Sequence, residues 1–258
     1  MKLQGNTILI TGGGSGIGLA LAQEFRNRGN TVLIANRSEA KLKNAADLGF
    51  STYRMDMTDP GEIQSVGQKI LADFPELNGI VHNAGIMKSE SLVSGPSSEI
   101  QMETVAINLL GPMLLNNVLI PHFVQRPSAM IMTVTSGLAF IPLAMYPGYC
   151  ASKAGLHSYT ESLRYQLKDT QVRVVELAPP YVQTELTGEA QAKDPMAMPL
   201  EEFIAEVMQQ IEKNPDSKEI LVERVQPLRF ASEKGHAEYQ KFFDEFNQSM
   251  TAARGGVF

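Results

Sequence analysis

Thr7-Ile8-Leu9-Ile10-Thr11-Gly12-Gly13-Gly14-Ser15-Gly16-Ile17-Gly18 decides how the rest of the chain is read. Thr7–Thr11 (TILIT) is apolar without polar alternation, the pattern of a strand covered on both faces. Gly16–Arg28 follows with Ile17, Leu21 and Phe25 on one side, which predicts a helix. A glycine-rich turn between such elements leaves unpaired N–H groups at the helix start, and these attract phosphate. Glycines let the chain turn sharply and let a ligand approach the backbone. Tight strand–helix turns also use glycine for purely local reasons, so position matters. Here the glycines occupy the first strand–helix junction of the chain.

Working outward, the same alternation recurs. Strands are predicted at Thr31–Asn36, Ser51–Asp56, Gly79–Asn83, Met130–Thr135, Val172–Leu177 and Glu219–Val222. Helices are predicted at Glu39–Leu48, from Asp59-Pro60 onward, across about 98–125, at Tyr149–Lys168, and in a tail across about 232–253. The expectation is a single α/β domain over 1–258, a doubly wound parallel sheet of the Rossmann type with helices on both faces. Ligands then bind beyond the carboxyl ends of the strands.

The chain has 258 residues, 43% hydrophobic and 19% charged, an ordinary globular balance. A net charge of −6, with no basic block, argues against a nucleic-acid partner. No apolar stretch of about 18 residues is seen, so no membrane span is expected. The start, Met1-Lys2-Leu3-Gln4-Gly5-Asn6, carries no signal-like segment, and the single cysteine, Cys150, cannot form an intrachain disulfide; both fit the cytoplasm. His82, His122, His157 and His236 show no metal-ligand spacing, so no metal is expected.

The glycine spacing is TGxxxGxG. Further along come His82-Asn83-Ala84-Gly85, Asn108, Ser136 and Tyr149-Cys150-Ala151-Ser152-Lys153. In this order the sequence resembles the classical short-chain dehydrogenase/reductase family, with His82 where the family commonly has Asn. A Tyr–Lys pair four apart is weak evidence alone, but such residues share one helix face. A Tyr hydroxyl, with a reference pKa near ~10, becomes a usable acid or base when a cation lies close. Ser136 follows an apolar strand, where its hydroxyl can hold a carbonyl oxygen. The resemblance implies an oxidoreductase passing a hydride between a nicotinamide and a ketone or secondary alcohol. Tyr149 would be the acid/base. Lys153 would bind the nicotinamide ribose and tune Tyr149, Ser136 would orient substrate, and Asn108 would hold a water in the proton relay.

On the cofactor side the expected residues are Gly12, Ser15, Gly16, Ile17, Gly18, Asn36, Arg37, Asp56, Met57, Asn83, Ala84, Gly85, Tyr149, Lys153, Pro179, Val182 and Thr184. After the second strand, Asn36 stands where an acid would select NAD(H), and the guanidinium of Arg37 follows it, which favours NADP(H). Asp56 fits either an adenine contact or a helix cap. Pro180 stands where the family commonly has Gly, which forbids positive φ there. Leu138, Phe140, Tyr146 and Tyr181 are candidate substrate residues, within an apolar set that also holds Met87, Ile141, Leu143, Met196 and Met198. No cation clusters in these loops, so an uncharged, apolar carbonyl or alcohol is expected. A mobile lid is expected over about 185–215. In the tail, Tyr239, Phe242, Phe243 and Phe246 form a stripe that covers either its own core or a partner subunit. The resemblance implies a homodimer or homotetramer.

Other readings remain at this stage. A catalytically silent NADP(H)-binding sensor would have lost Tyr149 or Lys153, yet both are present. An attacking serine would sit in GxSxG, but Ser136 lies in Val134-Thr135-Ser136-Gly137-Leu138. Epimerases and dehydratases on this fold usually carry a larger second domain, and enoyl reductases space Tyr and Lys more widely.

Overall fold

A computed structural model describes residues 3–253. Met1, Lys2 and 254–258, the ends of the domain expected over 1–258, lie outside the described residues. The strands are β1 (Thr7–Thr11), β2 (Thr31–Asn36), β3 (Ser51–Arg54), β4 (Gly79–His82), β5 (Ala129–Val134), β6 (Val172–Leu177) and β7 (Glu219–Ile220). They form one parallel sheet in the order β3-β2-β1-β4-β5-β6-β7. The order reverses at β1, which pairs with β2 on one side and β4 on the other. Beyond that reversal a cleft opens at the carboxyl edge.

The pleat divides the core. Ile8 and Ile10 face one layer and Leu9 the other, all without exposed surface. The first layer packs under α1 (Gly16–Asn27) and α2 (Glu39–Asp47) through Leu21, Phe25, Leu42 and Ala45. The second lies under α3 (Pro60–Asp73), α4 (Ser98–Val105) and α5 (Gly111–Phe123), with Ile63, Ile70, Leu115, Leu119 and Phe123 buried. Asp59 starts α3 by accepting the N–H groups of Gly61 and Glu62 at 2.8 and 3.0 Å, with Pro60 in the first turn, where a missing donor costs nothing.

α4 and α5 are one helix, Ser98–Phe123, interrupted by a π-helical turn at Ala106–Leu110. Pro112 has no N–H to give the carbonyl of Asn108, so the regular ladder breaks there. By length and hydropathy this helix would suffice to cross a membrane, which the sequence reading did not expect. Its burial against the sheet makes it a core helix.

α6 (Pro147–Gln166) covers the second layer beside α4 and the π-helical turn. α7 (Glu189–Ala192) is a single turn, and α8 (Leu200–Lys213) returns to the first layer against α1. Phe203, Ile204, Val207 and Met208 of α8 are buried, so the outer half of the lid expected over 185–215 is core helix. Only 185–199 runs along the cleft as a loop with one helical turn. α9 (Gln226–Arg229) and α10 (His236–Ala253) end the described chain.

Candidate active site

The cleft has a volume of about 970 Å³ and runs from the glycine turn to the far end of α10. Its floor is sewn together across β1 and β4. The Thr11 hydroxyl accepts the N–H groups of Asn83 and Ala84 at 3.1 and 3.2 Å. The Asn83 amide donates to the carbonyls of Thr11 and Gly12 at 3.1 and 3.2 Å. Gly12 has φ +66°, and a Cβ there would lie 2.7 Å from the Ala84 Cα. Gly18 does not reach the cleft: a Cβ there would meet the Asn83 amide at 2.3 Å. Its hydrogen atom is what lets α1 approach the strand ends, so the ligand contact expected of it is replaced by a packing role.

Ser15 precedes α1 without capping it through its side chain, so the first N–H groups of α1 have no hydroxyl partner. Ser15, Gly16 and Ile17 line the cleft, and a Cβ on Gly16 would project toward Thr184, 3.5 Å away. These features fit a pyrophosphate at the helix start.

Beside the glycine turn, on the β2 side, lie Asn36, Arg37, Ser38, Lys41, Asp56 and Met57, with Asn36 and Lys41 directly against Gly14. Half-exposed Arg37 is 3.3 Å from Glu103 and 3.9 Å from Asp56. Burial would raise the carboxyl of Asp56, but hydrogen bonds from Thr58 and the charges of Arg37 and Arg54 bring it below its usual range. Asp56 closes a turn onto the Thr58 N–H at 2.9 Å, and Asp59 is the helix cap, so the capping alternative for Asp56 is set aside. Ser38 and Lys41 were not foreseen. Their signal was present, since Ser38 begins α2 and places Lys41 one turn inside it.

Tyr149 and Lys153 stand one turn apart near the start of α6, with 6% and 4% of their surface exposed. The Lys153 ammonium donates to the Val134 carbonyl at 2.8 Å and lies 5.7 Å from the centre of the Tyr149 ring. Burial lowers its pKa to about 8. Burial also pushes the Tyr149 phenol up to about 12, while the Ser136 hydroxyl beside it works in the other direction. Ser136 follows β5 directly, its hydroxyl oxygen accepting the Leu138 N–H at 3.1 Å. The three side chains thus meet at one point of the cleft wall.

Asn108 is fully buried in the π-helical turn and does not line the cleft. Its amide oxygen accepts the Ile86 N–H at 2.9 Å. Its NH₂ donates to the Ile86 carbonyl at 3.0 Å and to Ser152 at 3.1 Å. The side chain therefore pins the loop after β4. His82 is buried and neutral, its pKa lowered to about 4 by burial, and it bonds Asn116 at 2.8 Å.

Ala84, Gly85, Pro179, Val182 and Thr184 line the cleft as expected from the sequence, as do Leu138 and Tyr181. Phe140 and Tyr146 do not. Phe140 stacks edge-on against His157 beneath Arg229, and Tyr146 is buried in the cluster behind Tyr149. Among the described residues no non-glycine has positive φ, so Pro180 adopts an ordinary backbone where the family commonly has Gly. Behind Ser136, buried Glu176 accepts from Thr135 at 2.6 Å and pairs with His157 at 2.8 Å. Glu219, close to that pair, is held by Arg229 at 2.7 and 3.1 Å, so this cluster of possible metal ligands is engaged with its own cations.

A sequence model of the short chain dehydrogenase family matches residues 6–195, and the chain belongs to that family: it is an oxidoreductase acting on CH–OH and C=O groups. The chain is 38% identical over 253 residues to the uncharacterized oxidoreductase DltE of Bacillus subtilis, covering 96% of this chain and 98% of that one. It is 30% identical over 190 residues to the 3-oxoacyl-[acyl-carrier-protein] reductase FabG of Salmonella typhimurium, covering 72% and 78%. Among solved structures, the 3-ketoacyl-(acyl-carrier-protein) reductase of Brucella melitensis complexed with NADH superposes with a TM-score of 0.73 at 26% identity, covering 81% and 91%.

Proposed function

We propose that this protein interconverts an uncharged, apolar ketone and its secondary alcohol, with NADP(H) as redox partner and Tyr149 as acid/base. The observation that carries the reading is the meeting of Tyr149, Lys153 and Ser136 at one end of a cleft whose other end is a glycine-lined helix start. When bound there, the nicotinamide donates or accepts the hydride. The remaining chemistry falls to the chain. The Ser136 and Tyr149 hydroxyls hold the carbonyl oxygen, and in reduction Tyr149 gives it a proton. A phenol held at about 12 is a competent donor and a poor base. In oxidation, the positive charge of Lys153 and of an oxidised nicotinamide favours the phenolate that accepts the proton. Lys153 spends one of its three N–H donors on Val134, leaving two for a ribose hydroxyl. Asn108 acts at one remove, fixing Ile86 beside the cleft.

Arg37, Ser38 and Lys41 around the adenosine end support NADP(H) over NAD(H). Glu103 competes for Arg37, but Lys88 at 2.6 Å balances that carboxylate. Arg37→Asp is expected to weaken NADPH about 10- to 100-fold, the worth of one charged hydrogen bond, while NADH affinity changes little. Nicotinamide fluorescence titrations measure both constants, and equal losses for the two cofactors would sink the phosphate assignment. The direct test of the reaction follows NADPH and NADH oxidation against a panel of apolar ketones. Oxidation of either cofactor supports the reading, and cofactor binding without turnover across the panel counts against it.

A further inference from the structure

One wall of the cleft comes from the end of the described chain, beyond the 6–195 stretch that defines the family. Phe246, Met250 and Ala253 of α10 line the cleft, spaced i, i+4 and i+7 on one helix face. Phe246 and Met250 also pack on the cluster of Leu143, Tyr146, Tyr149 and Cys150. Yet no residue of α10 is fully buried, so this is a helix laid over the site rather than one built into the core. One side chain fastens it. Asn247 accepts the Ala144 N–H at 2.7 Å and donates to the Pro142 carbonyl at 3.1 Å. A third bond, to its own Phe243 carbonyl at 2.9 Å, keeps the amide oriented. The fastened segment, 142–144, leads directly into the start of α6, which carries Tyr149.

We infer that α10 is the specificity wall of this site: Phe246 and Met250 set the length of the apolar substituent on the substrate carbonyl, and Asn247 is the positioning residue that latches the wall shut. The inference rests on the ketone-reductase reading and deepens it. The chemistry on the wall supports an alkyl or aryl group. An aromatic ring, a thioether and a methyl group face the cleft, while Glu238, Lys241, Asp244 and Glu245 of α10 are exposed or only partly buried and do not line it. Leu138 and Leu228 complete an apolar end, and methionine adapts to chains of different shape.

The test is a homologous series of methyl alkyl ketones with NADPH, using wild type, Phe246→Ala and Asn247→Ala. Because α10 contributes no fully buried residue, both variants are expected to fold, and their NADPH affinity checks this. In wild type, kcat/KM climbs about fourfold per added methylene up to a limiting length and then falls. Phe246→Ala moves that limit to longer chains and leaves the slope below it unchanged. Asn247→Ala raises KM across the series by more than it lowers kcat. Length profiles that run parallel in all three proteins overturn the assignment. If wild type reduces no ketone, the reaction reading fails separately. Calorimetric binding of the same ketones to the NADPH complex then decides the wall: a length limit that Phe246→Ala shifts sustains it, while no binding or an unshifted limit overturns it.

Discussion

Tyr149→Phe is expected to lower turnover by roughly 10² to 10⁴-fold while leaving NADPH affinity within a few-fold. The substitution removes one oxygen atom and keeps the ring that packs against Leu143, Tyr146 and Cys150. Stability is therefore retained and the loss lies in the chemical step. The pH dependence carries the same signature. Reduction needs the protonated phenol, so kcat/KM for a ketone holds at low pH and declines on the alkaline side as the proton is lost. Oxidation needs the phenolate and rises over that range. Steady-state rates in both directions across pH, for wild type and the variant, provide the measurement. Wild-type turnover by the Phe variant would remove Tyr149 from the acid/base role.

Gly12→Ala is expected to be costly in a different way. A non-glycine residue at φ +66° costs about 1–2 kcal/mol. The new Cβ would also stand 2.7 Å from the Ala84 Cα and 3.0 Å from its nitrogen, both backbone atoms that cannot swing away. Overpacking of this kind typically costs about 1–3 kcal/mol more. Together these shift the thermal midpoint downward by about 4–20 °C in a chain of this size. Relief of the clash requires the loop after β4 to move, and Asn83, Ala84 and Gly85 line the cleft. Cofactor affinity should fall with stability. A calorimetric scan and a fluorescence titration measure the two losses. A variant as stable as wild type would mean that the two loops separate freely, against the hydrogen bonds joining Thr11 and Gly12 to Asn83 and Ala84.

Much of this architecture was legible in the sequence because local and global signals agree. Apart from β3 and β7 the strands are short apolar runs, the helices between them have one apolar face, and glycine or proline marks many of the junctions. The spacing of Tyr149 and Lys153 puts them on one side of a helix, and the family resemblance singled the pair out. Other features depend on contacts between distant segments. Phe140 and Tyr146 lie in the segment from Ser136 to the start of α6, and nothing local tells whether such rings face the cleft or the interior. The fold turns Phe140 onto His157 and buries Tyr146. Asn108 could be placed in a helix, but its attachment to Ile86 is visible only once the chain has folded back. α8 was a missed opportunity: Phe203, Ile204, Val207 and Met208 recur at helical spacing within the stretch assigned to the lid. Glu176 announces itself as a charge in an apolar strand, yet only the fold supplies Thr135 and His157 as its partners. The sequence shows the aromatic stripe of α10 without a destination, and the fold directs its end, Phe246, into the cleft beside Tyr149.

The hydrogen bonds that sew Thr11 and Gly12 to Asn83 and Ala84 also bear on the energetics of the whole chain. They join the two strands at which the sheet changes direction, so any molecule lying across that seam touches both lengths of chain at once. Occupancy and folding are then thermodynamically linked. A ligand held only by the native state, at a hundredfold excess over its Kd, adds about 2.7 kcal/mol by mass action. That is a sizeable share of the about 5–15 kcal/mol that ordinarily separates native from unfolded protein. The metabolic supply of cofactor would thus influence how long a molecule of this enzyme survives as well as how fast it works.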